Sequence, residues 1–121
     1  MIGPESVLQA QVCEVLELCG WEWRHVSATA PTRDGGWRPD AGARDLPDLM
    51  CWHADKPGVC MFELKTGARR LTDGQHSLLV AWRAAGVPCW VIREEDLADV
   101  PGMLRSAAAH CLAAGPFVPT G

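Results

Sequence analysis

Asp48, Glu63 and Lys65 are the residues whose types and spacing could do chemistry together. They lie in "RDLPDLMCWHADKPGVCMFELKTG", where two apolar, strand-like runs (46–53 and 58–65) are joined by "ADKP". So short a connection predicts an antiparallel hairpin. Side chains alternate across a strand, so Glu63 and Lys65 share one face while Leu64 points to the other. Taken alone, that pair is best explained as an ion pair or a snorkelling lysine at a strand end. Pro47 changes the balance, because proline limits pairing and marks a strand's first residues. In a hairpin the start of one strand lies opposite the end of the other, which sets Asp48 beside Glu63 and Lys65. Two neighbouring carboxylates repel unless a cation sits between them. Ligation by oxygen alone, from carboxylates, water and a backbone carbonyl, suits magnesium. The lysine could help deprotonate an attacking water or stabilise charge on a phosphate. That is a plan for metal-assisted phosphodiester hydrolysis.

The elements that must hold these residues can be read along the chain. In residues 5–19, Leu8, Val12, Val15, Leu16 and Cys19 recur at helical spacing and predict a helix with one buried stripe, closed by Gly20. "WEWRHVSAT" predicts a first strand. Residues 30–44, rich in Gly, Pro, Asp and Arg, predict a long loop of the functional or mobile kind. After the hairpin, "LTDGQHSLLVAWRAAG" predicts a helix with Thr72 as N-cap, an apolar face of Leu78, Leu79 and Trp82, and Gly86 as its end. "VPCWVIR" predicts a short buried strand, and residues 94–113 a helix interrupted at Pro101. Residues 115–121 predict a loose tail. The expected architecture is α/β, a mixed sheet of four strands flanked by helices in the order α-β-β-β-α-β-α.

A chain of 121 residues is expected to be one domain, residues 1–121, large enough for a core. With 48% hydrophobic and 21% charged residues it has a globular rather than disordered composition. No run is long and apolar enough for a membrane span and no leader is evident, so a cytoplasmic location without membrane partners is expected. The six cysteines form no Cys-x-x-Cys pair and mostly fall in apolar runs, which predicts reduced core thiols. The net charge of −4 argues against indiscriminate binding to phosphate backbones. It leaves room for a local basic face, since Arg24, Arg33, Arg38 and Arg44 share one segment and Arg69-Arg70 follow the Glu-Leu-Lys. Trp37, within the Arg-rich loop, could stack on an unpaired base, whereas the other tryptophans are mostly core candidates.

Pro47-Asp48, fourteen residues, then Glu63-Leu64-Lys65 resembles the PD-(D/E)xK nucleases, and more closely the small stand-alone VRR-NUC nucleases of phages. The resemblance extends from Glu5 and Gln9 in the first helix, through the loop ending "ARDLPDL", to "FELKTGARRLT" and Gln75. It departs where Asp45-Leu46 follows "GAR", since the family carries a glycine shortly before Pro-Asp. It implies a restriction-endonuclease-like fold and a magnesium-dependent DNA endonuclease, with manganese able to substitute. By the same resemblance Asp48 and Glu63 are metal-binding carboxylates, with the carbonyl of Leu64 a further ligand. Lys65 is the catalytic lysine, Glu5 brings a further carboxylate, and Gln75 supports the site or contacts DNA.

The resemblance also implies structured DNA as substrate, a four-way (Holliday) junction or a flap. A homodimer would place two sites to cut two strands. Arg24, Arg38, Arg44, Arg69, Arg70 and Trp37 are the candidate DNA contacts. Two residues have bland roles as well: a helix dipole favours Glu5 in a first turn, and "TDGQ" fits a capping box for Gln75. The competing functions are a non-catalytic DNA-binding module on the same fold and a restriction-type enzyme that cuts one duplex sequence.

Overall fold

The apolar runs of the sequence pair into a mixed four-stranded sheet. The structure, a computed structural model, describes residues 3–26, 29–39 and 45–114, with no side-chain description for 29–31 and 39. Arg44 and the predicted tail 115–121 lie outside the described residues, as does the rest of 40–44. The strands β1 (Trp21–His25), β4 (Leu49–His53), β5 (Val59–Leu64) and β6 (Cys89–Ile92) lie in the order β1-β4-β5-β6. β1 and β4 pair antiparallel, as do β4 and β5, whereas β5 and β6 run parallel. The helices are α1 (Pro4–Leu18), α2 (Asp73–Ala84) and α3 (Val100–Ala114), the last preceded by a 3-10 helix over Glu94–Asp99. Elements of the main sheet therefore follow the expected order, α-β-β-β-α-β-α, and the predicted hairpin is present.

Residues 30–44, expected to be a loop, instead contribute to a separate two-stranded ribbon of β2 (Thr29–Pro31) and β3 (Trp37–Pro39). The cause is an Asp-Gly turn within the Gly-rich composition. Gly35 has φ 86°, the Thr32 N–H donates to the Gly36 carbonyl at 2.9 Å, and Asp34 accepts from Gly36 N–H at 3.2 Å. Asp-Gly between two short runs is itself a hairpin signal. The first strand, expected to reach Thr29, ends at His25.

Two further expectations shift. Cys19, placed in the buried stripe of α1, is exposed, because the helix ends at Leu18 and Cys19 is its cap. Cys13 is buried in the stripe with Leu8, Val12 and Leu16. The break expected at Pro101 falls just before it, where 3-10 geometry gives way to α-helix at Val100. Proline is tolerated in a first helical turn, where its missing N–H has no intrahelical partner to lose.

Strand alternation divides the core. On one face of the sheet Leu49, Cys51, Cys60, Phe62, Leu64 and Ile92 pack with α1 and with Val100, Leu104 and Ala107 of α3. On the other, Met61 and Cys89 pack with Leu79 of α2. Cys13, Cys51, Cys60 and Cys89 are buried free thiols. Of the tryptophans expected in the core, Trp21 is buried, while Trp23, Trp52, Trp82 and Trp90 are half-buried. No helix among the described residues is long and apolar enough to cross a membrane. The parity that sends Leu64 into the larger core sends Glu63 and Lys65 toward α2.

Candidate active site

Lys65 is 7% exposed and Glu63 3%, so both charges leave water on folding. Burial of ionised groups is costly unless partners compensate them, and each has one. Lys65 Nζ lies 3.5 Å from Glu63 Oε1, and Gln75 Nε2 donates to the same oxygen at 3.4 Å. Gln75 reaches Glu63 from the first turn of α2. There Thr72 accepts from the Gln75 N–H at 3.1 Å, and Gln75 Oε1 accepts from the Thr72 N–H at 3.0 Å. The capping box and the contact with Glu63 thus use opposite ends of one side chain, its amide oxygen and its amide nitrogen.

Asp48 immediately precedes β4. Extending the Leu49–Phe62 register by one residue puts it opposite Glu63, and alternation puts both on the α2 face. Its Oδ2 accepts from the Leu64 N–H at 2.7 Å, and its carbonyl accepts from the Val26 N–H at 2.8 Å. One further step of register sets Leu64 opposite the buried Pro47. Proline has no N–H, so the β4 ladder offers the Leu64 carbonyl no donor. The Pro-Asp dipeptide therefore acts twice: it diverts the Leu64 N–H to a carboxylate and, among the described residues, leaves the Leu64 carbonyl oxygen without a backbone donor from β4.

Burial and the neighbouring Asp48 push the Glu63 carboxyl up to about 8, against a smaller opposing pull from Lys65. Burial and the adjacent Asp48 both favour the protonated form of Glu63 over the charged one. A divalent cation would supply more positive charge than that proton. Two carboxylates at a strand end, with the Leu64 carbonyl oxygen as a further candidate donor, make a hard, all-oxygen set, which fits magnesium. Among the described residues no three His, Cys, Asp or Glu side chains converge as a metal cage. Magnesium commonly takes only one or two carboxylates and keeps other positions for water and phosphate.

Glu5 is not brought to this pair. It is exposed in the first turn of α1, the helix packed on the opposite face, and its Oε2 lies 3.5 Å from Arg69 Nη1. Exposed pairs of this kind add little stability. Arg70 is exposed beside Arg69 on the segment that leads from Lys65 to α2. Arg38 and Trp37 lie on β3, with Trp37 71% exposed. Arg24 sits on β1 with its guanidinium 5.5 Å from the Trp52 ring.

Two supports of the site are not evident from the sequence. The turn after Lys65 is held at Gly67 (φ 56°), whose N–H donates to Glu94 at 3.3 Å and whose carbonyl accepts from Arg93 at 3.3 Å. Asp45 packs its carboxylate over Gly74 in the first turn of α2, in the space a Cβ would need. This contact ties the Pro-Asp segment to the helix that carries Gln75. An acidic residue near a helix N-terminus is favourable, but nothing local in the sequence pairs Asp45 with α2.

No family model matches the chain, and no curated protein does. Among solved structures, a Holliday junction resolvase, Hjc, of the archaeal hyperthermophile Archaeoglobus fulgidus is similar at a TM-score of 0.46 and 13% identity. The match covers 73% of this chain and 66% of that one.

Proposed function

We propose that this chain is a magnesium-dependent DNA endonuclease of the VRR-NUC type, on a restriction-endonuclease-like fold, acting on branched DNA such as a four-way junction or a flap. The observation that carries this reading is the convergence of Asp48, Lys65 and Gln75 on the buried Glu63, with Asp48 also bonded to the Leu64 N–H. Asp48, Glu63 and the Leu64 carbonyl would hold magnesium. The ion, when bound, supplies positive charge to the phosphate and acidifies an attacking water. Lys65 places an ammonium group at the same strand end, where it can steer a water or offset charge on a phosphate oxygen. Gln75 would help orient the Glu63 carboxylate through the 3.4 Å contact. Arg69 and Arg70, exposed on the segment that follows Lys65, would contact the DNA backbone. The β2–β3 ribbon, carrying Arg38 and the exposed Trp37, is of a size to enter a DNA groove or stack on an unpaired base.

The test is cleavage of labelled four-way junction, flap, duplex and single-stranded DNA with magnesium, manganese or chelator. Branched substrates are expected to be cut with either metal and left intact with chelator. Cutting that survives chelator sinks the metal reading. Binding to all four DNAs without cutting points to a non-catalytic module, and cutting of one short duplex sequence to a restriction-type enzyme.

The two ends of Gln75 can be tested separately. Thr72→Ala removes the cap and is expected to lower stability by about 1 kcal/mol, with cleavage per folded molecule unchanged. Gln75→Ala is expected to cost similar stability and to slow cleavage by about tenfold or more, as loss of a residue supporting a metal ligand does. Equal cleavage by the two variants would reduce Gln75 to a helix cap.

A further inference from the structure

β1 is an edge strand: β4 pairs with one side of it, and no described strand pairs with the other. The Val26 N–H donates to the Asp48 carbonyl and the Ala54 N–H to the Gly20 carbonyl, so the even-numbered residues face β4. The N–H and C=O groups of Trp21, Trp23 and His25 therefore point outward. Such an edge is a template for another strand, and proteins commonly blunt it. Among the described residues one hydrogen bond does so, from Arg24 Nη1 to the Trp23 carbonyl at 2.8 Å. A hollow of about 410 Å³, lined by Glu17, Trp21, Glu22, Trp23 and Arg24, lies along the same strand.

The sequence of this edge, Trp21-Glu22-Trp23-Arg24-His25, is complementary to itself when reversed. Pairing two copies antiparallel about Trp23 sets Glu22 opposite Arg24 at two symmetric positions, Trp23 opposite Trp23, and Trp21 opposite His25. The outward residues 21, 23 and 25 become the hydrogen-bonded pairs of that ladder. Opposite charges facing each other across strands stabilise such a pair, and like charges weaken it. Glu22 and Arg24 are both exposed on the face that carries Trp52, where Glu22 Oε2 accepts from Trp52 Nε1 at 2.7 Å. Arg24 would leave the Trp23 carbonyl of its own chain and pair with Glu22 of the other copy. That exchange frees the edge carbonyl for the new ladder.

We infer that β1 is a homodimer edge, where two copies join their sheets antiparallel about Trp23 and form one continuous eight-stranded sheet. A two-fold axis normal to a sheet preserves its faces, so both Asp48–Glu63 sites would open on the same side. At strand spacings of about 4.8 Å and rises of about 3.4 Å per residue, they would lie roughly 30 Å apart. The geometry of the interface is independent of the nuclease reading, and the test uses no DNA.

The experiment measures the mass of the full chain by sedimentation and light scattering over a concentration series, for four proteins. The unaltered chain is expected to dimerise. Glu22→Arg and Arg24→Glu each create two like-charge pairs and are expected to weaken dimerisation about tenfold or more. The double variant Glu22→Arg/Arg24→Glu restores opposite charges and is expected to recover the dimer. Circular dichroism confirms that each variant is folded. A monomeric unaltered chain, single variants that dimerise as it does, or a double variant no better than the singles would each overturn the interface.

Discussion

Glu63→Gln protein, supplied with magnesium and a branched DNA that the unaltered chain cuts, is expected to cleave roughly 10³-fold more slowly, yet to fold normally. The substitution changes almost nothing in shape. It keeps an oxygen to accept from Gln75 and removes only the negative charge. The Glu63 carboxyl is 3% exposed and pushed up to about 8 by burial and by Asp48. A neutral amide there costs the fold little or nothing, so a loss of rate cannot be laid to unfolding. Asp48→Asn should behave alike, because the amide oxygen can still accept the Leu64 N–H while one charge of the metal pair is gone. Lys65→Ala should also lose cleavage by roughly 10²-fold or more, for a different reason. It keeps both carboxylates, so magnesium binding should persist, read by isothermal titration. Glu63→Gln cleaving at the rate of the unaltered chain would remove this carboxylate from the mechanism. Lys65→Ala doing so would leave that lysine a mere counter-ion to Glu63.

What could be read from the sequence divides by range. Period-two alternation and a short connection suffice to put Asp48, Glu63 and Lys65 on one face of paired strands, because each step is local. The same holds for the Thr72–Gln75 cap, with partners three residues apart. Glu5 was expected near Asp48 and Glu63 through the resemblance alone. The structure puts α1 on the face that Leu64 packs into, and Glu5 pairs with Arg69 instead. Which sheet face a helix covers is decided by packing across the whole chain and has no local signature. Asp45 and Gly74 are 29 positions apart in the sequence, and their contact has none either. The β2–β3 ribbon has no clear sequence signature for another reason. Its strands are three residues each, too short for alternation to show, and the Asp34-Gly35 turn does not stand out within a generally Gly-rich composition. Four tryptophans expected in the core lie half-buried, since a large ring with a polar N–H commonly keeps one edge in water. Trp23 and Trp52 do so with Nε1 bonded to Glu17 and Glu22.

The burial of Glu63 beside Asp48 also makes the fold itself a reporter of the metal. A carboxyl at about 8 in the folded chain, against an ordinary 4.5, binds its proton more tightly folded than unfolded. Below pH 4.5 both states carry the proton, and this group's contribution is fully present. As pH rises from 4.5 through 8 the unfolded chain releases the proton first, so stability falls across that window. The loss should reach a few kcal/mol, and the melting temperature without metal should drop by roughly 10 °C between pH 5 and pH 8.5 relative to Glu63→Gln. Magnesium competes with this proton for the same oxygens. It should therefore raise the melting temperature strongly at pH 8.5, weakly at pH 6, and hardly at all in Glu63→Gln. Tryptophan fluorescence during heating, with and without magnesium, reads all of these differences without any DNA. If Glu63→Gln kept the same decline between pH 5 and 8.5, the proton would lie elsewhere. If magnesium stabilised that variant as much as the unaltered chain, the ion would bind somewhere other than the Asp48–Glu63 pair.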